Sequence, residues 1–461
     1  METKTPKRGC LRAMFRWSVR LVLVAVLLAL GIFCGFFAPQ LYHHFALFPR
    51  QAAAWRELAA RRAPVKMQTG WPEFRGVMHS HSHISHDSEV QFPEIVQALQ
   101  KAHCQFIFMT DHPVDGKADY SLGWKGIHDG ILFVPGFEMQ AGFMPWGLPD
   151  GTVFSQQDNP VELAKKIRQL GGVLCLAHCE EGRPWDIPEI DGMEIYNIHT
   201  DFQAKLMDKH LRRELVKEVL INYRSYGDQT LRSIFDWRML MMLVQQWDQQ
   251  NLHRKLTGIA ANDCHQNTGL RAVYTAQDTL LLLGTGHNDP KRKIREYRLN
   301  VFARSLLRLC FGRLEAGKQL FRIDLDPYER SARFVNTHLL AKELSEPALL
   351  DAIRAGRAFV AFNMIADASG FAYIAEGNGQ RVTMGERIAL SPGLKLRAET
   401  PLPCQFILVR NGRPIEVREG NVFEFDVRKP GKYRIQAALN ILGEWTPWIL
   451  ANPIEVSEGS P

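Results

Sequence analysis

Along most of the chain, short apolar runs alternate with stretches whose apolar positions recur at helical spacing. Residues 74–78, 106–109, 131–134, 173–176, 193–196 and 257–261 read as strands. Between them, 92–103 and 160–170 carry helical periodicity, and a long basic helical region runs from about Asp201 to Arg254. This alternation predicts parallel strands with crossover helices, hence an α/β barrel or a doubly wound sheet. Ser345-Glu346-Pro347 opens a further helix that ends near Gly356. Beyond residue 370 the helical signal disappears. Alternating segments such as 394–397 and 406–409 are separated by Asn411-Gly412 and Pro430-Gly431 turns, which predicts a small all-β sandwich.

One segment breaks the alternation. Residues 21–38 read LVLVAVLLALGIFCGFFA, without charge or Pro, close to the minimum length for crossing a bilayer. Lys4, Lys7, Arg8, Arg12, Arg16 and Arg20 precede it, and such a cluster stays cytoplasmic. The run therefore predicts a single-pass, uncleaved signal anchor in the inner (cytoplasmic) membrane. The rest of the chain is then extracytoplasmic, and periplasmic if the chain is bacterial. A cleaved signal peptide and a buried core helix are the alternatives. Cys34 follows Gly31-Ile32-Phe33, a poor lipoprotein signal, and residues 45–66 read as a juxtamembrane helix. The predicted division is 1–20 basic N-terminus, 21–38 anchor, 39–71 juxtamembrane linker, 72–363 α/β unit and 370–461 β-sandwich.

Composition narrows the class only a little. Hydrophobic residues make up 46% and charged residues 23%, which excludes wholesale disorder, a collagen-like fibre and a coiled coil. A net charge of +7 is too mild to imply a nucleic-acid binder, and 8 Cys are too few for a disulfide scaffold. Residues 291–322 are locally basic. They read as a solvated or membrane-facing surface, or as a groove for a polyanionic substrate.

The histidines are clustered. The first strand runs into His79-Ser80-His81-Ser82-His83-Ile84-Ser85-His86-Asp87-Ser88. Residues i and i+2 of an extended segment point the same way, so His79 and His81 can share one metal. Thr110-Asp111-His112 ends the second strand, Glu138 follows the third, His178 ends the fourth, and Asp263 and His265 end the sixth. Each sits just past the C-terminal end of a predicted parallel strand, the face where α/β barrels assemble active sites. Mixed His and carboxylate ligation suits Zn²⁺, Mn²⁺ or Fe²⁺ rather than Mg²⁺ alone. Asp111 reads as a residue that orients a neighbouring ligand. His199 reads as a substrate contact or a surface His. Arg183 and Arg271 read as bidentate phosphate clamps or as ordinary surface arginines. Glu180 belongs to no motif, and Cys175, Cys179 and Cys264 read as packed thiols.

These pieces resemble the PHP family, the polymerase-and-histidinol-phosphatase metal-dependent phosphoesterases. The resemblance rests on His79-x-His81 with the Ser85-His86-Asp87-Ser88 tail, Thr110-Asp111-His112, Gly136-Phe137-Glu138, Ala177-His178 and Asp263-Cys264-His265, in the family's order across residues 72–363. It implies a distorted seven-stranded (β/α) barrel holding two or three divalent ions (Zn, Mn or Fe). It implies ligand roles for His79, His81, His112, Glu138, His178, Asp263 and His265, with Glu138 bridging two metals and Glu138 and Asp263 as the catalytic carboxylates. The family places an acidic residue or a His shortly after the first pair; Asp87 is preferred here and His86 is the alternative. The Asn452-Pro453-Ile454 ending resembles PHP-related proteins that carry a C-terminal β-domain.

The implied activity is hydrolysis of a phosphate ester by a metal-activated hydroxide in a multinuclear site. The implied substrate is a phosphorylated small molecule, or a nucleotide or nucleic-acid 5′ end, since the family includes 5′-to-3′ exonucleases. The membrane is the one partner implied, through the N-terminal helix; no protein partner can be inferred. A non-catalytic envelope binding module competes, although a scaffold has no physical need for aligned ligands. An amidohydrolase also uses His-x-His, commonly with a carboxylated Lys on a later strand, and no Lys stands at the corresponding strand ends.

Overall fold

The computed structural model describes residues 8–285 and 293–458. Lys4, Lys7, Lys291 and Arg292 of the predicted basic clusters lie outside the described residues, as do the side chains of Arg8, Arg12 and Lys293.

The fold is mixed α/β around one large sheet. The strands that lead to the site are β1 (Glu73–Ser80), β2 (Phe106–Phe108), β3 (Ile131–Val134), β4 (Phe143–Trp146), β5 (Val173–Leu176), β6 (Gly192–Asn197) and β7 (Thr257–Cys264), followed by β8 (Asn336–Leu340) and β9 (Ala358–Ala361). Parallel ladders join β1 to β2, β2 to β3, β5 to β6 and β6 to β7. β4 runs antiparallel to β5, and the isolated Gly136–Trp146 and Met139–Phe143 bridges tie it to the segment after β3. β7 pairs in parallel with β1, so the path of pairings returns to its first strand. β2, β3 and β5 are buried along their whole length, which is why they read as continuous apolar runs.

The helical region near 201–254 is four helices: Ile198–Met207, Lys209–Asn222, Gly227–Arg232 and Trp237–His253. Side chains of Asn197, Asp208 and Asp236 accept from the first N–H groups of three of them, so short polar residues set the breaks. Between β7 and β8 the chain makes a four-stranded antiparallel excursion: Gly269–Tyr274, Thr279–Leu283, Lys293–Arg298 and Gln319–Asp324. The helix Val301–Phe311 sits between its last two strands.

The C-terminal strands share the sheet of the α/β unit. β9 pairs with Glu444–Ala451, and Phe359, Val360 and Phe362 pack in one core with Trp448, Ile449 and Leu450. The strands Lys395–Arg410 and Arg413–Asp426 form a long hairpin whose turn, Asn411-Gly412, has both φ positive at 50° and 77°. Asn452 is buried and stitches the two halves: its amide nitrogen donates to the carbonyls of Gly258 at 3.0 Å and Ala358 at 2.9 Å, and its oxygen accepts from Gly258 N at 2.8 Å.

At the other terminus, helix Arg8–Phe36 contains a stretch, Phe15–Phe36, long and apolar enough to cross a membrane, and none of its most apolar window is buried. The expected juxtamembrane helix is Phe48–Ala60. The segment before it is docked rather than free. Gln40 donates to Glu214 at 3.0 Å, His43 meets Glu218 at 2.9 Å, and Asn222 donates to the Gln40 carbonyl at 3.0 Å.

Candidate metal centre

The strand ends are not regular where the site forms. His79 (φ 67°), His178 (φ 46°) and Asp263 (φ 48°) all occupy the left-handed region, and the β1–β7 register shifts between Met78 and Ser80. Non-glycine residues held there cost on the order of 1–3 kcal/mol each and persist only where their surroundings fix them. The i, i+2 rule for an extended strand therefore does not describe His79 and His81. The bulge nevertheless turns both rings inward, with Nε2 atoms 3.2 Å apart.

Around them the donors form overlapping groups: His79, His81 and Glu138; His79, His178 and Asp263; His81, Asp87, His112 and His265; and His199, Asp263 and His265. Within each group the ligand atoms lie within 4.8 Å of one another. Glu138 Oε1 is 3.2 Å from His178 Nε2, while its Oε2 is 3.3 Å from His79 Nε2 and 3.8 Å from His81 Nε2. Its two oxygens thus address different groups. Asp87 Oδ2 lies 3.2 Å from His265 Nε2 and 3.4 Å from His112 Nε2. His86 is exposed and only tilts over the His112 ring, so the geometry takes in Asp87 and leaves His86 out.

Four imidazoles share one arrangement: Nδ1 is tied outward and Nε2 faces the cluster. His79 Nδ1 meets Glu194 at 2.5 Å, His81 Nδ1 meets Ser85 Oγ at 3.0 Å, His178 Nδ1 meets Glu180 at 3.2 Å, and His265 Nδ1 meets the Asp263 carbonyl at 2.9 Å. Outer partners of this kind fix ring orientation and leave the inner nitrogen as the ligand atom. Asp111 works on His81 rather than on the His112 ring. It accepts from Ser85 Oγ at 3.1 Å, so that hydroxyl accepts from His81 Nδ1. Sequence reasoning missed Glu194, which is fully buried and also accepts from His178 N at 2.8 Å. A Glu inside the apolar run 193–196 was the available signal, since a buried charge needs partners. Glu180, which belongs to no sequence motif, also lines the site.

Burial disfavours charge on His178, yet hydrogen bonds with Glu138 and Glu180 and the charge of Asp263 push its pKa up to about 12. His265 rises to about 9 against burial, chiefly through Asp263 and Asp87. His81 falls to about 3 through burial and the neighbouring His265, and His199 to about 4 mainly through burial. Burial would raise Glu138 and Asp263, but the surrounding imidazoles hold both well below the usual carboxylate range. In this form protons on imidazoles offset the buried carboxylates, a role that cations fill equally well.

The donor set fits divalent ions. Asp263 Oδ1 is buried and lies 3.1 Å from His81 Nε2 and 3.2 Å from His79 Nε2 without a directed hydrogen bond to either. Asp87 Oδ1 is likewise buried and unbonded. The cluster floors a cavity of about 380 Å³ whose rim adds Glu180, Glu181, Thr200, Gln203 and His199. No Lys or Arg is among the described residues lining it. Arg183 spends its guanidinium on the Ala177 carbonyl at 2.7 Å and on Glu181 at 3.1 Å, and Arg271 is buried in the four-stranded excursion. Cys175, Cys179 and Cys264 are buried free thiols.

No protein-family model matches the chain, and no curated protein matches it. Among solved structures it is similar to a two-domain protein from Bacteroides vulgatus ATCC 8482 described as containing a predicted PHP-like metal-dependent phosphoesterase. The two are 14% identical over 85% of this chain and 98% of that chain, with a TM-score of 0.35.

Proposed function

We propose that this protein is a membrane-anchored, metal-dependent phosphoesterase. The observation that carries the reading is the set of overlapping imidazole and carboxylate groups, with each inner nitrogen aimed by an outer partner. His79, His81 and Glu138 would hold one ion, His178 with Glu138 and Asp263 a second, and Asp87, His112 and His265 a third, with Zn, Mn or Fe suiting these donors. When bound, such ions supply Lewis acidity that activates water near neutral pH and offsets phosphate charge.

The chain's own residues prepare this. Glu194, Ser85, Glu180 and the Asp263 carbonyl hold the four imidazoles in position. His199, neutral at pH 7, stands at the rim as a hydrogen-bonding contact for substrate. Arg183 and Arg271 are no part of the proposal, because neither lines the cavity. With no Lys or Arg among the described residues lining the cavity, bound cations would supply the main positive charge for phosphate, and His199, Thr200 and Gln203 the neutral hydrogen bonds. A cavity of about 380 Å³ favours a phosphorylated small molecule or nucleotide over a polymer end.

The circuit of pairings through β1 to β7 supports a distorted (β/α)7 barrel across 72–363, with 370–461 as a β-domain that carries no chemistry. The exposed Phe15–Phe36 stretch supports a single-pass anchor with the body outside the cytoplasm. Purified full-length protein in detergent, assayed against a panel of phosphomonoesters and nucleotides with Mn²⁺, Zn²⁺, Fe²⁺ or Mg²⁺, tests the activity. Hydrolysis should vanish with chelator and return with metal; no turnover with any metal overturns the reading. A C-terminal reporter that works only in the cytoplasm overturns the topology.

A further inference from the structure

The helix Val301–Phe311 is built backwards for a water-soluble protein. A surface helix normally turns its apolar stripe to the core. Here Phe302, Leu306 and Leu309, at i, i+4 and i+7, form one stripe that is 78%, 51% and 84% exposed. No residue of the helix is buried, and Arg304, on the inner side, pairs with Asp278 of the excursion. The helix is nonetheless well terminated. The Asn300 side chain accepts from Ala303 N at 2.8 Å, and Lys318 Nζ donates to the carbonyls of Phe311 at 2.9 Å and Arg313 at 2.8 Å. A capped helix with an unpartnered apolar face calls for an apolar phase beside it.

The same region is tied to the base of the N-terminal helix. Phe36, its last residue, lies beneath Arg213 at 5.0 Å and Lys217 at 4.3 Å on helix Lys209–Asn222. Tyr223, directly after that helix, donates to the carbonyl of Asp324, at the end of the last strand of the excursion. One helix therefore holds both the apolar N-terminal segment and the excursion that presents the stripe. Arg308 is exposed on the same helix, Arg313 is exposed just after it with Glu315 at 3.5 Å, and Arg295 and Arg298 are exposed on the preceding strand.

We infer that the helix Val301–Phe311 lies in the plane of the membrane that the N-terminal helix crosses, with Phe302, Leu306 and Leu309 in the lipid interface and the flanking arginines against anionic headgroups. The inference rests on the anchor proposed above and adds a second point of contact that orients the body on the bilayer. Basic amphipathic helices bind interfaces by this combination of buried apolar area and attraction to anionic lipid. A second copy of the chain fits the surface less well, because it would bring the same arginines together.

The test uses the full-length chain with Cys10→Ser, Cys34→Ser and Cys310→Ser, carrying a nitroxide at Leu309→Cys. It is reconstituted into phosphatidylcholine vesicles with and without phosphatidylglycerol. A label at Val417→Cys, exposed on the long hairpin, serves as the aqueous reference. Flotation with the vesicles first tests the anchor. The Leu309 label should then relax more with oxygen than with a water-soluble nickel chelate, and more strongly so with phosphatidylglycerol, while the Val417 label shows the reverse order. If the chain does not float, the anchor reading fails and this inference fails with it. If it floats and the nickel chelate reaches Leu309 as freely as Val417, the anchor stands and the helix inference falls. It falls equally if both reagents are excluded from Leu309, as beneath a protein partner.

Discussion

Near the start of β7, Gly258 exchanges both of its backbone polar groups with the Asn452 amide, at 2.8 and 3.0 Å, in a fully hydrogen-bonded seam. At the far end of the same strand, Asp263 has a left-handed backbone and a buried oxygen that no directed hydrogen bond satisfies. The two ends differ because they answer to different demands. The seam joins the C-terminal strands to the α/β sheet and gains from complete pairing. The site end keeps donors unpaired so that a ligand can take them up. Stability and chemistry should therefore respond to different substitutions along one strand.

The most damaging way to break the charged end is Glu138→Gln. It keeps volume while removing one charge and one of the two oxygens that address separate groups. Bound metal should fall by at least one ion per chain, and phosphoesterase turnover by on the order of 10²-fold or more. Elemental analysis and rate assays decide it; full metal and full rate would remove Glu138 from the site.

Glu194→Gln comes next. The residue is not among those lining the site cavity, yet it holds the His79 ring and the His178 backbone. Metal affinity should drop roughly 10- to 100-fold, as is usual when an outer partner of a ligand is lost. Titration with a competing chelator measures this, and unchanged affinity would reduce Glu194 to a packing residue.

Asn452→Ala probes the quiet end. Leaving the Gly258 groups buried and unpaired should lower unfolding free energy by about 2 kcal/mol, with metal content per folded chain unchanged. A parallel loss of metal in the folded protein would show that the two ends are coupled.

The mildest effect is on pH. His178 and His265 have pKa values raised above the ordinary 6.5, so without metal both carry protons at neutral pH. Their stabilisation of the metal-free fold is complete below 6.5, and the His265 share is lost as pH rises through about 9. Metal must displace those protons, so its affinity should instead rise with pH by up to about tenfold per unit for each proton released. Calorimetry in buffers of differing ionisation enthalpy should register proton release at pH 7; none would mean the imidazoles are already neutral.

Much of the convergent cluster was readable in the sequence because metal-binding side chains are chemically unmistakable at the ends of apolar runs. What escaped depends on partners distant in the chain. β4 contains Pro145, which argues against a strand within a sheet, and it survives because it runs antiparallel beside the irregular Gly136 bridge. The roles of Arg183 and Arg271 could not be read from loop position, because the contacts that occupy Arg183 and bury Arg271 form only in the folded chain. The predicted boundary between 363 and 370 falls where helical periodicity stops, whereas the hydrogen bonds run straight across it from β9 to Glu444–Ala451.

The absence of Lys and Arg among the described residues lining the cavity bears on timing. Without metal the lining carries five carboxylates, Asp87, Glu138, Glu180, Glu181 and Asp263, against the raised imidazoles His112, His178 and His265, so on the proposed reading bound ions supply the balance of positive charge that a phosphate dianion meets. Productive encounters would then favour one order, cation first and ester second. On the proposed reading, throughput would track the free metal of the compartment even with the protein abundant.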